Sequence, residues 1–144
     1  MIYTPMTKLA LKLCFEAHKD QIDKSGMPYV FHPFHLAEQM TDEKTTIVAL
    51  LHDVIEDTEY TLEDLRKIGF AEDVLFAISL MTHADDVPYM DYVAQIKTNP
   101  IARAVKLADL KHNSDMSRLD RIAPKDEERA KKYRKAIELL ETQD

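Results

Sequence analysis

The fold is decided by the stretch IVALLHDVIED, which occupies residues 47–57. Its first five residues offer no polar face, so they predict a helix that is buried on all sides. One histidine and three carboxylates follow this apolar run almost at once. Burying an unpaired carboxylate is costly, so such groups are normally paired, neutralised or bound to metal. The sequence therefore predicts a central helix whose far end carries charges that a divalent metal ion would neutralise.

Helical spacing predicts that these four side chains face a common point. At roughly 100° per residue, Asp53, Glu56 and Asp57 lie about 100°, 40° and 140° from His52, within one broad sector. A metal ion there would take His52 and Asp53 as ligands, and Glu56 and Asp57 would hold and deprotonate a water molecule. The alternative interpretation is an acidic, solvated helix end in a chain that is already rich in acid.

Composition predicts one helical domain that spans residues 1–144. The chain has 144 residues, of which 45% are hydrophobic, and this is enough to build a core without disulfides. It contains only two glycines and many Leu, Ala, Lys and Glu residues, and no long stretch alternates between apolar and polar residues. These features favour an all-α fold, a compact bundle of helices.

Charge and cysteine content narrow the function classes. The formal net charge of -7 disfavours nucleic acid and anionic membrane as partners, because both reward a basic surface. A phosphorylated small molecule stays possible where cations gather in a pocket. Cys14 is the only cysteine, and its apolar neighbours indicate a small buried hydrophobe and not a nucleophile. No secretory or membrane-spanning stretch is visible, so a reducing cytoplasm is expected.

Capping residues and prolines predict the helix boundaries. The predicted helices run from a cap at Thr4 towards Asp20, from His32 to about Met40, from a cap at Thr41-Asp42 through His52, from a cap at Thr61 to near Gly69, and then over 73–82, 88–97, 100–116 and 125–141.

Two distant segments are candidate partners of the central helix. Asp109 is flanked by apolar residues and Asn113 lies one turn further on the same face, so Asp109 could bind metal and Asn113 a substrate hydroxyl. An ion pair between Asp109 and a nearby lysine is the alternative. His32 precedes Pro33, which predicts an extended backbone and a fixed side-chain direction. It is a candidate ligand, although a capping or structural histidine is a common alternative. Such a mixed N/O shell suits Mn²⁺ or Fe²⁺ better than a closed zinc site.

The other histidines are interpreted more simply. His18 and His83 adjoin apolar helix faces and are expected to be core or hydrogen-bonding residues. His35 is expected on a helix surface. His112 neighbours Asn113, so both a pocket-lining and a structural role remain open.

Several motifs also occur in a characteristic order along nearly the whole chain. They are Ser25-Gly26-Met27-Pro28-Tyr29, His32-Pro33, His52-Asp53 with Glu56-Asp57-Thr58, Thr61-Leu62-Glu63-Asp64-Leu65, Leu80-Met81-Thr82, and Lys106-Leu107-Ala108-Asp109 with His112-Asn113. This ordered set resembles the HD-domain metal-dependent phosphohydrolases. More narrowly, it resembles the hydrolase domain of the Rel/Spo alarmone enzymes and the single-domain small alarmone hydrolases.

The resemblance implies a fold, a reaction and a set of roles. It implies a compact helical HD-domain bundle that removes pyrophosphate from the 3′ position of ppGpp or pppGpp. Four matching residues would bind Mn²⁺: His32, His52, Asp53 and Asp109. Glu56 and Asp57 would position and activate the attacking water molecule. Lys24 would contact phosphate, although an exposed loop lysine is the alternative, and Asn113 would contact the ribose.

Departures from the family pattern concern the substrate. The family has an arginine that packs on the guanine base where this chain has Asp23, and a carboxylate cannot stack in that way. Leu110 and Ser114-Asp115 also replace basic positions of the family. Another nucleotide or phosphate ester is therefore an alternative substrate, and a non-catalytic nucleotide sensor is an alternative function. The 144 residues leave no room for a synthetase domain, so alarmone synthesis is not expected.

Overall fold

The computed structural model describes residues 1–142 of the chain. Its α-helices are α1 (Pro5–His18), α2 (Phe31–Glu38), α3 (Glu43–Leu51), α4 (Val54–Asp57), α5 (Leu62–Ile68), α6 (Glu72–Met81), α7 (Tyr89–Lys97), α8 (Pro100–Asn113) and α9 (Pro124–Glu141), with a 3-10 helix over Met116–Arg118. Within those residues, the β-pairing is one isolated bridge between Ile22 and Pro28. The all-α prediction is confirmed. The predicted domain end at residue 144 lies outside the described residues.

Helix α3 lies at the centre of the bundle. Every residue over 45–51 is buried, and α3 packs against α1, α2, α6 and α8. The apolar run over residues 47–51 is therefore surrounded by other helices, as its lack of a polar face predicts. This placement brings the end of α3 into the interior, so the charged side chains that follow the apolar run must be neutralised there.

Local capping explains why the helices begin where they do. The Thr4 hydroxyl accepts from the Thr7 amide at 3.1 Å, and Pro5 occupies the first turn of α1, where no N–H is needed. Asp42 caps α3 by accepting from the Thr45 amide at 2.8 Å. Gly69 ends α5 in the left-handed region, with φ of 119°. These boundaries follow the sequence-based expectations closely.

Three local expectations were wrong. The central helix does not continue from His52 to Asp57: α3 ends at Leu51, and His52 and Asp53 form a break before the short helix α4. His32 is not extended, because α2 begins at Phe31 and Pro33 sits in its first turn, where a missing N–H costs nothing. Helix α8 ends at Asn113 and not near residue 116, because the chain turns there into the 3-10 helix.

None of the helices within residues 1–142 combines the length and the apolar character needed to cross a bilayer.

Candidate metal centre and adjoining cavity

Three buried side chains from different helices converge at the end of α3. His32 comes from the first turn of α2, His52 from the residue that follows α3, and Asp109 from α8, and all three are buried. Each offers one ligand atom, and these atoms lie within 4.8 Å of one another. His32 Nε2 is 2.8 Å and His52 Nε2 3.6 Å from Asp109 Oδ1. The arrangement brings two imidazole nitrogens and a carboxylate within reach of one ion.

The hydrogen bonding of His52 shows that this group fits a cation. Its Nδ1 lies 2.7 Å from the carbonyl oxygen of Ala49, an acceptor, so Nδ1 carries a proton and donates. In the neutral imidazole, Nε2 is then an unprotonated lone pair. That Nε2 is buried without a hydrogen-bond partner, yet it lies 3.1 Å from Asp53 Oδ2. A lone pair facing two carboxylates is satisfied by a cation between them, and the backbone contact fixes the ring as in metal-binding histidines.

Without a metal ion, a proton takes over part of this role. Burial alone would lower the pKa of His52, but the negative charges of Asp53 and Asp109 raise it well above its usual range. Burial would in turn raise the pKa of Asp53, and the positive charge of His52 lowers it to about 2. The centre therefore holds a surplus of negative charge that attracts a cation of either kind.

Asp53 is placed beside the group of three and not inside it. Its carboxylate contacts His52 Nε2 and accepts a hydrogen bond from the Tyr29 hydroxyl. The tyrosine hydroxyl thereby fixes one carboxylate oxygen from the loop before α2. Both contacts are made by Oδ2, so protein groups orient Asp53 through one oxygen, as hydrogen bonds orient the carboxylates that bind metal ions.

Asp109 both forms an ion pair with a lysine and faces the candidate metal centre, so the two alternatives given by the sequence are compatible. Lys106 donates to Asp109 Oδ2 at 2.9 Å, so the expected lysine ion pair is present. The other oxygen, Oδ1, faces His32 and His52 and also accepts from Asn113 Nδ2 at 3.0 Å. Lysine and histidine charges hold the pKa of Asp109 well below its usual range although burial opposes them. Asp109 is therefore ionised and ready to bind a cation through Oδ1.

His112 supports His32 from the opposite side. The Nδ1 atoms of the two rings lie 2.7 Å apart, so one donates and the other accepts, and the rings stack with centroids 4.9 Å apart. Burial and the nearby Arg118 charge lower the pKa of His112 to about 4, which keeps it neutral near pH 7. His35 is exposed as expected, and its ring lies over the outer side of His112.

Glu56 and Asp57 lie on α4, exposed at the edge of the centre. Glu56 Oε1 accepts from the His83 amide at 2.8 Å. Partial desolvation and the charges of Asp53 and Glu56 raise the pKa of Asp57 to about 6. A carboxylate with a raised pKa, next to a cation-binding group, is suited to accept a proton from water.

His18 anchors α4 from α1, a role close to the expected hydrogen-bonding one. Its buried ring bonds to Gln21 Oε1 at 2.8 Å, and Gln21 Nε2 donates to the backbone carbonyl of Asp57 at 3.1 Å. The half-buried His83 bonds through Nε2 to the Val87 carbonyl at 2.6 Å. Cys14 is fully buried. These residues hold the elements around the centre in place.

A cavity of about 300 Å³ adjoins the centre at His32. Tyr29, Lys24 and Asn113 line it, so the structure brings two expected substrate-contacting residues to the same space. The structure adds lining residues that sequence reasoning missed, among them Arg118, Arg129 and Tyr133. No local signal marks them, because Arg118 follows α8 in a polar segment and the other two lie half-buried on the highly charged helix α9. The cavity can hold a nucleotide-sized ligand next to the candidate metal centre.

Asp23 also lines the cavity, where it stabilises the loop before α2. Its Oδ1 accepts from the Ser25 amide at 2.8 Å and the Met27 amide at 3.0 Å. Its Oδ2 lies 3.7 Å from Arg118 Nη1. The carboxylate is therefore held by its own turn, and a guanidinium from another part of the chain lies over it.

No family model matches the chain. It is 37% identical over 136 residues to a GTP pyrophosphokinase of Streptomyces coelicolor, a match that covers 85% of this chain and 15% of the relative. It is 36% identical over 90 residues to a guanosine-3′,5′-bis(diphosphate) 3′-pyrophosphohydrolase of Aquifex aeolicus, covering 60% of this chain and 13% of the relative.

The fold resembles a solved structure of a metazoan ortholog of SpoT that is described as hydrolysing ppGpp. The TM-score is 0.76 at 23% identity, and the match covers 98% of this chain and 88% of that chain. The predicted helical bundle and the predicted resemblance to the hydrolase domain of Rel/Spo alarmone enzymes are confirmed. The chain spans only about 15% of the length of the first sequence relative.

Proposed function

We propose that this chain is a metal-dependent phosphohydrolase of phosphorylated nucleotides that removes pyrophosphate from the 3′ position of ppGpp or a closely related guanosine nucleotide. Relatives named guanosine-3′,5′-bis(diphosphate) 3′-pyrophosphohydrolase support the reaction, and the SpoT ortholog supports the fold. The observation that carries the proposal is the buried, unpartnered Nε2 of His52, which faces the carboxylates of Asp53 and Asp109.

Four side chains would hold the ion: His32, His52, Asp53 and Asp109. Two nitrogens and two carboxylates make a mixed donor set that suits Mn²⁺, with Fe²⁺ or another divalent ion as alternatives. When bound, such an ion lowers the pKa of water and offsets phosphate charge. Lys106 neutralises one of the two carboxylates, and this leaves the centre less negative towards an anionic substrate.

Glu56 and Asp57 would act on the attacking water molecule. Asp57 is the proposed proton acceptor, because its raised pKa of about 6 lies near neutral pH. Glu56 is fixed by the His83 amide through Oε1 and keeps Oε2 to orient the water molecule. As the water oxygen bonds to the phosphorus that carries the ribose 3′ oxygen, its proton passes to the carboxylate. The bond between that phosphorus and the 3′ oxygen breaks, so pyrophosphate is released and the 3′ oxygen takes up a proton to become a hydroxyl.

The cavity would hold the nucleotide. Lys24 and Arg129 supply positive charge for phosphate, and Asn113 is placed to contact the ribose while it also bonds to Asp109. This link connects substrate binding to the metal centre through one amide. Because position 23 is not an arginine, a second candidate function is the hydrolysis of another nucleotide or phosphate ester. A third candidate function is that of a non-catalytic nucleotide sensor.

A substrate panel tests the reaction. The purified protein, reconstituted with Mn²⁺, is incubated with ppGpp, pppGpp, GTP, NADPH and a simple phosphate monoester, and the products are separated by anion exchange. The expected result is release of pyrophosphate from ppGpp and pppGpp. Turnover of another ester alone supports the second candidate. Tight binding of ppGpp without turnover, in protein that retains its metal, supports the sensor and contradicts hydrolysis.

The proposal also names the metal and the cellular compartment of the protein. Metal analysis of protein purified without added ions is expected to find manganese. The reducing cytoplasm is the proposed compartment, since the one cysteine, Cys14, is unpaired and buried.

A further inference from the structure

Two groups of charged side chains line the cavity. In the first, Lys24 lies near Arg129 and the lysines of α9, and burial together with this positive charge lowers the pKa of Lys24. In the second, the guanidinium of Arg118 is accompanied by the carboxylates of Asp23 and Asp115. The positive charge of the first group favours the binding of an anionic phosphate, whereas the two carboxylates of the second group repel it.

Arg118 is oriented from two directions. Its Nη2 donates to the His112 carbonyl oxygen at 3.2 Å, and its Nη1 lies 3.7 Å from Asp23 Oδ2. Its Nε is buried without a partner. Structural arginine–carboxylate pairs are typically bidentate, at about 2.7–2.9 Å. The Asp23 contact is longer and single, so it directs the guanidinium without occupying it.

We propose that Arg118 recognises the base of the bound nucleotide and that Asp23 acts only by positioning Arg118. The proposal rests on the proposed function. A planar guanidinium stacks on a base, and Ile22 and Leu119 line the same cavity with apolar surface. The neighbouring carboxylates repel phosphate, whereas they accept hydrogen bonds from the N–H groups of a purine.

The aromatic rings that line the cavity are already packed elsewhere. The Tyr29 hydroxyl bonds to Asp53, and its ring lies 5.0 Å from the His18 ring. His32 stacks on His112. Tyr133 packs against the core, with its ring 6.4 Å from the Tyr89 ring. The other lining guanidinium, that of Arg129, is paired with Asp126 at 3.1 Å. Arg118 is therefore the lining group best placed to stack on a base.

The test compares Arg118→Gln with Arg121→Gln, which removes the same charge at an exposed position three residues away. Both are assayed with ppGpp and with the corresponding ribose bis-diphosphate that lacks the base. We expect Arg118→Gln to raise KM for ppGpp by about 5- to 150-fold, the range for loss of one stacked base, with little change in kcat. KM for the baseless substrate should not change, and Arg121→Gln should behave as wild type.

A structural role for Arg118 would raise KM for both substrates by the same factor, and this outcome would overturn the proposal. So would wild-type KM for ppGpp in Arg118→Gln. Arg118→Lys adds a second check, because lysine keeps the charge and loses the planar group. It should resemble Arg118→Gln, and rescue by lysine would show that charge alone is recognised.

Asp23→Asn tests the positioning role. The amide oxygen still accepts from the Ser25 and Met27 amides, while the charge that faces Arg118 disappears. We expect a smaller rise in KM for ppGpp than in Arg118→Gln, and no further rise when the two substitutions are combined. Additive effects would show that Asp23 contacts the substrate independently and would contradict this role.

Binding separates this inference from the proposed reaction. If the metal-loaded wild type turns over no nucleotide, the proposed function fails. Calorimetric titration with GMP and with ribose 5-phosphate then tests Arg118 alone. Loss of GMP affinity in Arg118→Gln, with ribose 5-phosphate binding unchanged, supports base recognition, and equal losses contradict it.

Discussion

The candidate metal centre draws its side chains from α2, from the break that follows α3 and from α8, all of which pack in the core. The adjoining cavity draws its side chains from a loop, from the 3-10 helix and from the partly buried residues of α9. Burial makes the negative charge of the centre costly unless a cation binds there. The residues of the centre are therefore suited to cation binding alone. The cavity tolerates different charges because water reaches it. In the proposed function, the core therefore determines the chemistry and the peripheral cavity determines the substrate.

The largest expected effects are those of substitutions in the centre, and they distinguish the residues that bind metal from those that activate water. Asp53→Ala removes a carboxylate that faces His52 Nε2, so it should abolish both metal retention and activity. Glu56→Gln should lower kcat by about 10²- to 10⁴-fold, the usual contribution of a general acid or base, and keep the metal. Metal content and kcat are measured on the same preparations.

The control for this pair is Asp91→Ala, which removes an exposed carboxylate of α7 and should change neither quantity. Retention of a full equivalent of metal by Asp53→Ala would remove Asp53 from the ligand set.

A smaller effect is expected at the cavity. Lys24→Gln and Arg129→Gln should each raise KM for the phosphorylated substrate by about 10- to 100-fold, the value of one hydrogen bond to a charged group, and leave kcat nearly unchanged. Lys67→Gln, at an exposed position of α5, is the matched control. A fall in kcat with unchanged KM would place these cations at the reacting phosphate. The cavity would then take part in the chemistry, which contradicts the separation of the centre from the cavity.

The sequence predicts the centre better than the cavity for a physical reason. A histidine and aspartates next to an apolar run must be buried and satisfied, so His52, Asp53 and Asp109 are conspicuous without any structure. Arg118, Arg129 and Tyr133 lie in polar segments where such residues are ordinary, and only the packing of α9 against α7 and α8 brings them to one cavity.

The local geometry was harder to predict than the residue set. Regular helical spacing over residues 47–57 requires one continuous helix, but the chain breaks at His52-Asp53. That break places His52 and Asp53 beside each other at one point and turns α4 into a separate element. Spacing along an ideal helix cannot show this, because it takes the backbone to be regular through His52 and Asp53.

The next effect concerns stability in the absence of metal. Asp57 has a folded-state pKa of about 6, above its unfolded value of about 4, so its charge opposes folding at pH 7 and its protonation favours folding at lower pH. Asp57→Asn should therefore stabilise the metal-free protein at pH 7 by about 1 kcal/mol, a value reduced for solvent screening. The gain should vanish as pH falls from 7 to 4.

Urea unfolding of both proteins in chelator at pH 7, 6, 5 and 4 measures this difference. A gain for Asp57→Asn that stays constant across the range would mean that Asp57 titrates normally, and the proton-acceptor role would lose its electrostatic basis.

The smallest expected effect is at Cys14, which belongs to the core and not to the site. Burial, with a smaller contribution from Asp53, raises the pKa of Cys14 to about 12. The folded protein should not react with iodoacetamide at pH 8, and the same thiol should react fully in urea. Rapid alkylation of the folded protein, followed by mass spectrometry, would show that α1 opens near the centre.

Manganese titration of chelator-treated protein tests the central claim most directly. Calorimetry on wild type, His52→Ala and His35→Ala compares a buried histidine of the centre with an exposed one nearby. We predict one tightly bound ion per chain for wild type and for His35→Ala, and loss of that binding in His52→Ala. No binding by wild type, or unchanged binding by a folded His52→Ala, would contradict a metal centre at the end of α3.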